Sequence, residues 1–556
     1  MRAIRLSLCP NDVHVLRVFR RHYGVRADRT LKWDLEESVE PIVRNEAIKT
    51  KDLPGNDRLG ANELPVNLTI AINRALLKFD PIALRKDSAE LRRLLTNRRA
   101  PAKDGVIRTR AKTLERQIME RDDIKMKRAK MSPEEQMALQ KDLAEKVLPQ
   151  LRSEFYHWQP IYYTPYLAAQ YIVCRFPEEY GVLSKIFTEL ASRRPDFHPQ
   201  SLLDFGSGVG TVPFAANGVF GKSLNEYVCV DSSADMIEMS KTIIDNDTKG
   251  EEPLLREVFH RQFLPGLRDR QYDIVTSAYS LLDLPNVRER LKTVRSLWQK
   301  TKRFLVLVEL GSVAGYDLIM EARNHILQLD RAGKRSSRRV VDNLEQEEIS
   351  QIYQNIPEPG EVFSPCPHKV VCPRQVKANS SVVCHFPISF RPLPFMSFRY
   401  ASTMTSRYSY VVFEKSAAEG QYEEPSEQWP RLVESVRKRH HHAICRMCCS
   451  DGTLKELITT RDKHTGPLYN LSRQAKWGDR IPFVPEKRSP EEQKAYDESL
   501  VRSKQPSLTS ERAGVNSLEN LPEEDLDTTN HRGSQEEEDE DCLDEDDRTS
   551  KPSRDL

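Results

Sequence analysis

Apolar residues recur at helical spacing through the first third of the chain and gather into strand-length runs beyond it. The segment beginning Leu64-Pro-Val-Asn-Leu has this helical spacing, so residues from about 60 to 150 are predicted to be helical. Between Tyr162 and Glu309, short apolar runs alternate with helical stretches, which indicates a parallel α/β sheet. Tyr408–Phe413 predicts a further strand, whereas apolar residues become sparse after about Ser489 and predict a disordered tail.

A glycine-rich loop follows the first predicted strand of this sheet. The run reads Ser201-Leu-Leu-Asp-Phe-Gly-Ser-Gly-Val-Gly-Thr211, and the next strand, Tyr227-Val-Cys-Val-Asp231, ends in an acid. Glycines let a backbone turn sharply and approach a ligand closely, with the following helix pointing its N-terminus at that ligand. In doubly wound folds, an acid at the end of the second strand binds ribose hydroxyls. Strand, loop, helix, strand and acid together predict a nucleoside-type ligand.

The glycine spacing distinguishes two ligand classes. Dinucleotide sites use Gly-x-Gly-x-x-Gly, whereas this loop is Gly-x-Gly-x-Gly with an acid two residues before it. That form resembles the S-adenosylmethionine loop of class I methyltransferases. The resemblance implies an α/β, Rossmann-like fold, with the loop near the methionine end of the cofactor and the second-strand acid on its ribose. The expected cofactor-binding residues are Asp204, Gly206, Gly208, Gly210 and Asp231.

A catalytic apparatus cannot be recognised beside this cofactor loop. Tyr272–Leu281 and Arg303–Leu310 fit the fourth and fifth strands, and the loop after the fourth reads Ser277-Ala-Tyr-Ser-Leu-Leu-Asp-Leu-Pro285. It lacks the Asn/Asp-Pro-Pro-aromatic motif of amino-methylating enzymes and the cysteine that cytosine C5 methylation requires. A Lys-Asp-Lys-Glu set of the ribose-methylating kind cannot be placed either. No catalytic residue is assigned, and the fold is expected to be catalytically inactive.

Charge is distributed unevenly along the 556 residues. Residues 1–27 contain six arginines, one acid and interspersed apolar residues, as a mitochondrial presequence requires. Residues 91–130 carry 14 Lys or Arg and five acids, a balance that favours contacts with nucleic acid phosphates. The tail from Leu521 carries a net charge of −11, so the rest of the chain carries +13. No apolar run approaches the roughly 18 residues of a spanning helix, and membrane insertion is not expected.

Six of the ten cysteines fall into two groups. Cys366, Cys372 and Cys384 form the first, and Cys445-Arg-Met-Cys448-Cys449 forms the second. Four thiolates can close a zinc site or hold an iron–sulfur cluster. Paired Cys-x-x-Cys knuckles of zinc ribbons are absent from the first group, and proline after Cys366 and Cys372 is typical of ferredoxin-type loops. An iron–sulfur cluster is therefore favoured over zinc and over buried, unligated cysteines.

These segments together resemble the methyltransferase-like assembly factors of the mitochondrial small ribosomal subunit. The resemblance covers roughly residues 62–485 and is carried by the glycine loop, the first cysteine group, Pro165-Tyr-Leu…Arg175-Phe-Pro and Trp477-Gly-Asp479. It implies a matrix protein that binds small-subunit rRNA, has a fold able to bind S-adenosylmethionine, and carries a four-iron four-sulfur cluster. We expect the protein to be a monomer. The implied ligands are Cys366, Cys372, Cys384 and Cys448, with Cys445 and Cys449 as alternatives to the last.

The expected organisation has five parts. They are a transit peptide (1–30), a helical basic region (31–160), a class I methyltransferase-like core (161–360), a cysteine-rich cluster-binding extension with the final strands (361–488) and a disordered acidic tail (489–556). The competing interpretation is an active S-adenosylmethionine-dependent rRNA methyltransferase of the small subunit.

Overall fold

A computed structural model describes much of the chain between residues 33 and 485. The described residues exclude 38, 45–54, 56–59, 61, 100–103, 122–131, 156–159, 247–251, 267–269, 328–359, 376–381, 395–402, 416–428 and 465. The predicted transit peptide and acidic tail therefore lie outside the described residues, and the five-part division stays a prediction.

Helices cover much of the first half of the described chain, and strands follow from β2 onward. The helices are α1 (Glu40–Arg44), α2 (Val66–Leu76), α3 (Pro81–Asn97), α4 (Asp104–Arg121), α5 (Pro133–Phe155), α6 (Pro165–Arg193), α7 (Thr211–Phe220), α8 (Ala234–Asp245), α9 (Val287–Lys300), α10 (Val313–Ile326) and α11 (Gly466–Gln474). The strands are β1 (Trp33–Leu35), β2 (Ser201–Phe205), β3 (Glu226–Val230), β4 (Val258–Arg261), β5 (Tyr272–Ala278), β6 (Thr301–Leu310), β7 (Glu361–Ser364), β8 (Phe386–Phe390), β9 (Met404–Glu414), β10 (Arg431–Leu432), β11 (Arg437–Lys438), β12 (His442–Cys448), β13 (Leu454–Thr460) and β14 (Phe483–Pro485). Among the described residues, no helix combines the length and apolar character that crossing a membrane requires.

The main sheet has the order β4-β3-β2-β5-β6-β9-β7, with β8 also paired to β9. Strands β2 to β6 are parallel, and β9 runs antiparallel to β6. The chain adds β3 and β4 on one side of β2 and then returns to add β5 and β6 on the other. This reversal makes a crevice at the carboxyl ends of β2 and β5, where α/β sheets bind ligands. The class I methyltransferase-like α/β fold is thereby confirmed.

Both faces of the main sheet are buried. Alternate residues point to opposite faces, so Leu202 and Ile274 pack with α2, α6, α7 and α8, whereas Leu203 and Val275 pack with α9 and α10. Burial on both faces explains why these strands are continuously apolar rather than alternating. Helix α2 belongs to the first of these cores, so part of the predicted helical region is built into the α/β body.

The outer edge of the main sheet is interrupted by the first cysteine group. Strands β7 and β8 both pair with β9, Ser364 lying opposite Val412 and Phe386 opposite Tyr408. The chain leaves this edge at residue 365 and rejoins it at residue 386. Because the two ends of the excursion are anchored a few residues apart on β9, Cys366 and Cys384 enter the same region of the molecule.

A second, antiparallel sheet contains the other cysteine group. Strand β12 pairs with β10, β11 and β13. Strand β1 pairs with β14, and its Trp33 and Leu35 pack in the apolar core of this second sheet. Residues 33–35, from the N-terminal part of the described chain, therefore form part of the C-terminal extension. The local sequence pattern did not predict this pairing.

A buried charge cluster connects the two sheets. Glu189 of α6 accepts hydrogen bonds from Arg431 of β10, at 2.5 Å, from Arg193, at 3.2 Å, and from the hydroxyl of Ser364, at 2.9 Å. Burial by itself would raise the pKa of Glu189, but Arg431, Arg193 and Arg480 hold it below its ordinary range. The carboxylate is therefore charged at neutral pH and joins β10 to α6 and the end of β7.

We expect Glu189→Gln to lower the free energy of unfolding by about 3 kcal/mol, because it leaves buried arginines without their counter-charge. The depressed pKa means that the ionised carboxylate stabilises the protein at neutral pH and that this contribution is lost as the pH falls below its ordinary range. Urea denaturation followed by circular dichroism measures the effect.

The control is Glu238→Gln on the exposed face of α8, where the ion pair with Lys241 spans 3.7 Å. A surface pair of this kind contributes about 0–1 kcal/mol. Equal effects of the two substitutions would contradict a special role for Glu189.

Candidate cofactor and metal sites

The predicted glycine loop lies between β2 and α7, at the carboxyl edge of the main sheet. Gly206, Gly208 and Gly210 have φ values of 72°, 52° and 86°, in the region that favours glycine. A Cβ atom on Gly206 would lie 2.3 Å from the Cβ of Ser280, and one on Gly210 would lie 2.7 Å from the Oγ of Ser240. Side chains are therefore excluded from two of the three positions by direct contact.

Asp231 fixes the middle of this loop. Its two carboxylate oxygens accept the backbone N–H groups of Gly208 and Ser233, each at 2.8 Å. Burial raises the pKa of Asp231, and these two hydrogen bonds oppose the rise. A carboxylate oxygen has two lone pairs, so each oxygen retains capacity for one more donor, such as a ribose hydroxyl. This geometry fits the predicted ribose contact.

Asp204 lies inside β2, directly before the loop, and its side chain is fully buried. Within the described part of the chain, neither carboxyl oxygen has a hydrogen-bond partner. Burial, followed by the charges of Asp231 and Glu179, raises the pKa of Asp204 well above its ordinary value. An unpartnered buried carboxyl beside a glycine loop fits a site that receives a polar ligand, although a contact between Asp204 and the cofactor stays a prediction.

The position after β5, where class I methyltransferases build their catalytic site, holds a partly buried tyrosine. Tyr279 has a φ of 57°, and the guanidinium of Arg175 lies 4.7 Å from its ring centroid. Glu179 accepts hydrogen bonds from Arg175, at 3.0 Å, and from Tyr171, at 2.6 Å. Burial raises the pKa of Tyr279. The tyrosine therefore stays protonated at neutral pH, which makes it a poor base.

The four predicted metal ligands meet at one cavity between the two sheets. Cys366, Cys372 and Cys384 approach it from the interrupted sheet edge, and Cys448 approaches it from the end of β12. The other two candidates, Cys445 and Cys449, lie instead in the apolar core of the second sheet. Geometry thus favours Cys448 among the three.

The turn between β12 and β13 packs against the first cysteine group. A Cβ atom on Gly452 of this turn would lie 2.1 Å from Cγ2 of Val370. This close approach places Cys448 beside a loop that is about 80 residues earlier in the chain.

Polar groups contact two of these thiols. The hydroxyl of Tyr316 donates to Sγ of Cys372 at 3.4 Å, and Nε2 of His368 lies 3.3 Å from Sγ of Cys448. Burial, followed by the charge of Arg323, lowers the pKa of His368 to about 4, so the ring is neutral at pH 7. Burial raises the pKa values of the Cys366, Cys384 and Cys448 thiols. Without a metal, these thiols are therefore protonated.

In the described residues, no group of three or more His, Cys, Asp or Glu side chains is arranged to hold a metal ion. The four thiols share a cavity without forming a closed coordination sphere, so their role as ligands stays a prediction. Soft thiolates around a buried, largely apolar cavity suit iron–sulfur or zinc chemistry.

Comparison with known proteins assigns the family. Residues 165–482 match the model of the family described as mitochondrial small ribosomal subunit Rsm22. The chain belongs to the Rsm22 family. A human relative, "Ribosome assembly protein METTL17, mitochondrial", is 34% identical over 431 residues, which cover 78% of this chain and 85% of the human protein. The yeast relative from Saccharomyces cerevisiae, "Ribosome assembly protein RSM22, mitochondrial", is 23% identical and covers 56% of this chain and 66% of its own length.

Several solved methyltransferase structures match this Rsm22-family chain at low similarity. Magnesium protoporphyrin IX methyltransferase from Synechocystis, with bound S-adenosylhomocysteine, is 12% identical with a TM-score of 0.24, and covers 48% of this chain and 94% of that one. A putative RNA methyltransferase from Pyrococcus horikoshii is 11% identical with a TM-score of 0.24, covering 43% and 85%. The strand order and the glycine loop therefore carry the fold assignment.

The geometry of the glycine loop in this Rsm22-family protein predicts that adding a single side-chain methyl group weakens cofactor binding strongly. We expect Gly206→Ala to weaken binding of S-adenosylmethionine at least about tenfold, or about 1.4 kcal/mol, because the new Cβ collides with Ser280 in a left-handed backbone. Isothermal titration calorimetry on the purified chain measures the affinity.

Gly60→Ala is the matched control, since its Cβ meets no described atom within 4 Å. If the Gly206→Ala variant and the unaltered protein bind S-adenosylmethionine with equal affinity, the loop is not part of the cofactor site. If the unaltered protein does not bind S-adenosylmethionine, the predicted cofactor is wrong.

Proposed function

We propose that this Rsm22-family chain is a mitochondrial assembly factor of the small ribosomal subunit that acts in the matrix, as a monomer, by binding rRNA. The human and yeast relatives carry the name ribosome assembly protein and the word mitochondrial, and the human protein is matched over most of its length. The basic N-terminal residues support import, since a presequence of this composition is amphipathic and arginine-rich.

The observation that carries the proposal is the convergence of four cysteines on the cavity between the sheets. Four thiolates are the ligand set of a four-iron four-sulfur cluster, and they also suit structural zinc. Cys366, Cys372, Cys384 and Cys448 would hold the group, which would supply a cross-link between the sheet edge and β12. Because ligand binding by distant segments couples metal affinity to folding, loss of the group would loosen the second sheet.

The methyltransferase fold serves as a binding element in this proposal. The glycine loop and Asp231 fit S-adenosylmethionine, whereas the position after β5 holds Tyr279, packed against Arg175. A protonated tyrosine is a poor acceptor for the proton of a methyl acceptor. We therefore infer that the pocket holds its cofactor without transferring the methyl group.

An exposed basic patch on the second sheet supports the rRNA partner. It lies at the end of β12 opposite to Cys448, about 20 Å away at the usual rise per strand residue. The turn at 439–442 and the turn after β13 are joined there by a hydrogen bond from the N–H of Arg461 to the carbonyl of His441. Several cationic side chains in one place suit phosphate contacts. The members of the basic patch are Arg437, Lys438, Arg439, His440, His441, Arg461 and Lys463.

Cys372→Ser tests the central proposal. We expect the iron content of anaerobically purified protein to fall at least about twofold, because one of four thiolate ligands is lost. Association with small subunits, measured by gradient sedimentation in depleted cells that re-express the variant, is expected to fall with it.

Cys445→Ser is the control, because Cys445 is equally buried but lies in the core of the second sheet. Unchanged iron and unchanged association in Cys372→Ser would overturn the proposal. If the unaltered protein contains stoichiometric zinc, the four cysteines form a zinc site and not a cluster site.

Reversal of charge in the basic patch tests the RNA contact. Arg437→Glu together with Lys438→Glu is expected to lower affinity for a small-subunit rRNA transcript at least about tenfold and to flatten its salt dependence, since fewer counterions are released. Fluorescence anisotropy at several salt concentrations measures both quantities.

The same change of net charge elsewhere, Lys222→Glu with Lys292→Glu on exposed surfaces, serves as the control. If both double variants lose equal affinity, the effect is one of net charge and the basic patch is not the interface.

A further inference from the structure

Arg323 of α10 is a charged side chain buried completely beneath the first cysteine group. Its Nη2 donates hydrogen bonds to the backbone carbonyls of His368 and Val370, both at 2.9 Å. These two carbonyls belong to the loop between Cys366 and Cys372. The arginine therefore holds the shape of the loop from inside the protein.

Unlike the neighbouring arginines Arg374 and Arg431, Arg323 has no carboxylate paired with its charge in the described residues. Arg374 pairs with Glu434 at 3.1 Å, and Arg431 pairs with Glu189 at 2.5 Å. In the described residues, Arg323 has no ion pair with a carboxylate, and its Nε and Nη1 atoms have no hydrogen-bond acceptor. A buried cation without a counter-charge is strongly unfavourable, so an anion is expected nearby.

The loop that Arg323 holds carries two of the four cysteines that line the cavity, Cys366 and Cys372. The buried positive charge therefore lies directly beneath the proposed ligand set. Four thiolates holding an iron–sulfur cluster form a centre of net negative charge, which would supply the missing anion.

We propose that Arg323 is the counter-cation of the metal–thiolate centre, a positioning residue that stabilises the cluster and raises its reduction potential. This inference rests on the proposed cluster. Net charge and hydrogen bonds to the sulfur ligands set the potential of such clusters, and a nearby fixed cation favours the more negative, reduced state. Arg323 would also order the loop that carries Cys366 and Cys372.

The test compares two variants of the full chain purified without oxygen. Arg323→Gln keeps hydrogen-bonding capacity but removes the charge, so the midpoint potential should become more negative and the iron per chain should fall at least about twofold. Arg323→Lys keeps the charge, so its potential should stay near that of the unaltered protein. Iron analysis and a redox titration monitored by electron paramagnetic resonance provide the two readouts.

Arg290→Gln is the control for removal of a buried arginine, because Arg290 is also buried but pairs with the carboxylate of Glu321 instead of binding the cysteine loop. Its potential should not change, even if its stability falls.

The outcomes separate this inference from the proposed function. If the unaltered protein contains no iron, the proposed iron–sulfur cluster is overturned. An unaltered protein with iron, together with normal iron and potential in Arg323→Gln, overturns the role of Arg323. If Arg323→Gln yields no folded protein, Arg323→Lys decides, and a shift of its potential to more negative values overturns the proposal.

Discussion

The arrangement of this protein depends on one buried carboxylate. Glu189 of α6 binds Arg431 of β10 and the hydroxyl of Ser364, so it fastens the second sheet to the main sheet where β7 ends. Cys366 follows Ser364 by two residues, and Cys448 lies opposite Arg431 in the β10–β12 pairing. The same interaction therefore fixes the backbone on both sides of the cavity. Buried ion pairs contribute little net stability when their geometry is poor, but breaking one leaves a charge that the interior cannot solvate.

Buried arginines also surround the four thiols. Arg374 and Arg431 line the cavity and are each balanced by a carboxylate outside it, whereas Arg323 points its hydrogen bonds at the cysteine loop itself. A cavity of this kind disfavours a second buried cation and favours an anionic occupant. The physical logic of the proposed metal–thiolate centre thus rests on the charge environment as well as on the number of cysteines.

Sequence reasoning found what is encoded in contiguous residues. The strands around the glycine loop, the acid at Asp231 and the grouping of the cysteines each follow from local spacing, and the structure places them at one sheet edge and one cavity. It missed the pairing of β1 with β14, the role of Glu189 and the burial of Arg323. These features join residues separated by tens to hundreds of positions, and an isolated Glu or Arg on a helix has no local pattern that distinguishes a buried ion pair from a solvated face.

The cofactor loop and the position after β5 obey separate constraints. The loop needs glycine at Gly206 and Gly210 because neighbouring side chains occupy the space of a Cβ, and this requirement holds whether or not a methyl group is transferred. Tyr279, by contrast, is partly buried after β5, with the guanidinium of Arg175 over its ring and the carboxylate of Glu179 paired with that guanidinium. Because Arg175 and Glu179 are both buried, moving either one would leave a charge uncompensated. The proposed cofactor role of the loop therefore rests on its backbone geometry, and the proposed absence of methyl transfer rests on the separate packing around Tyr279.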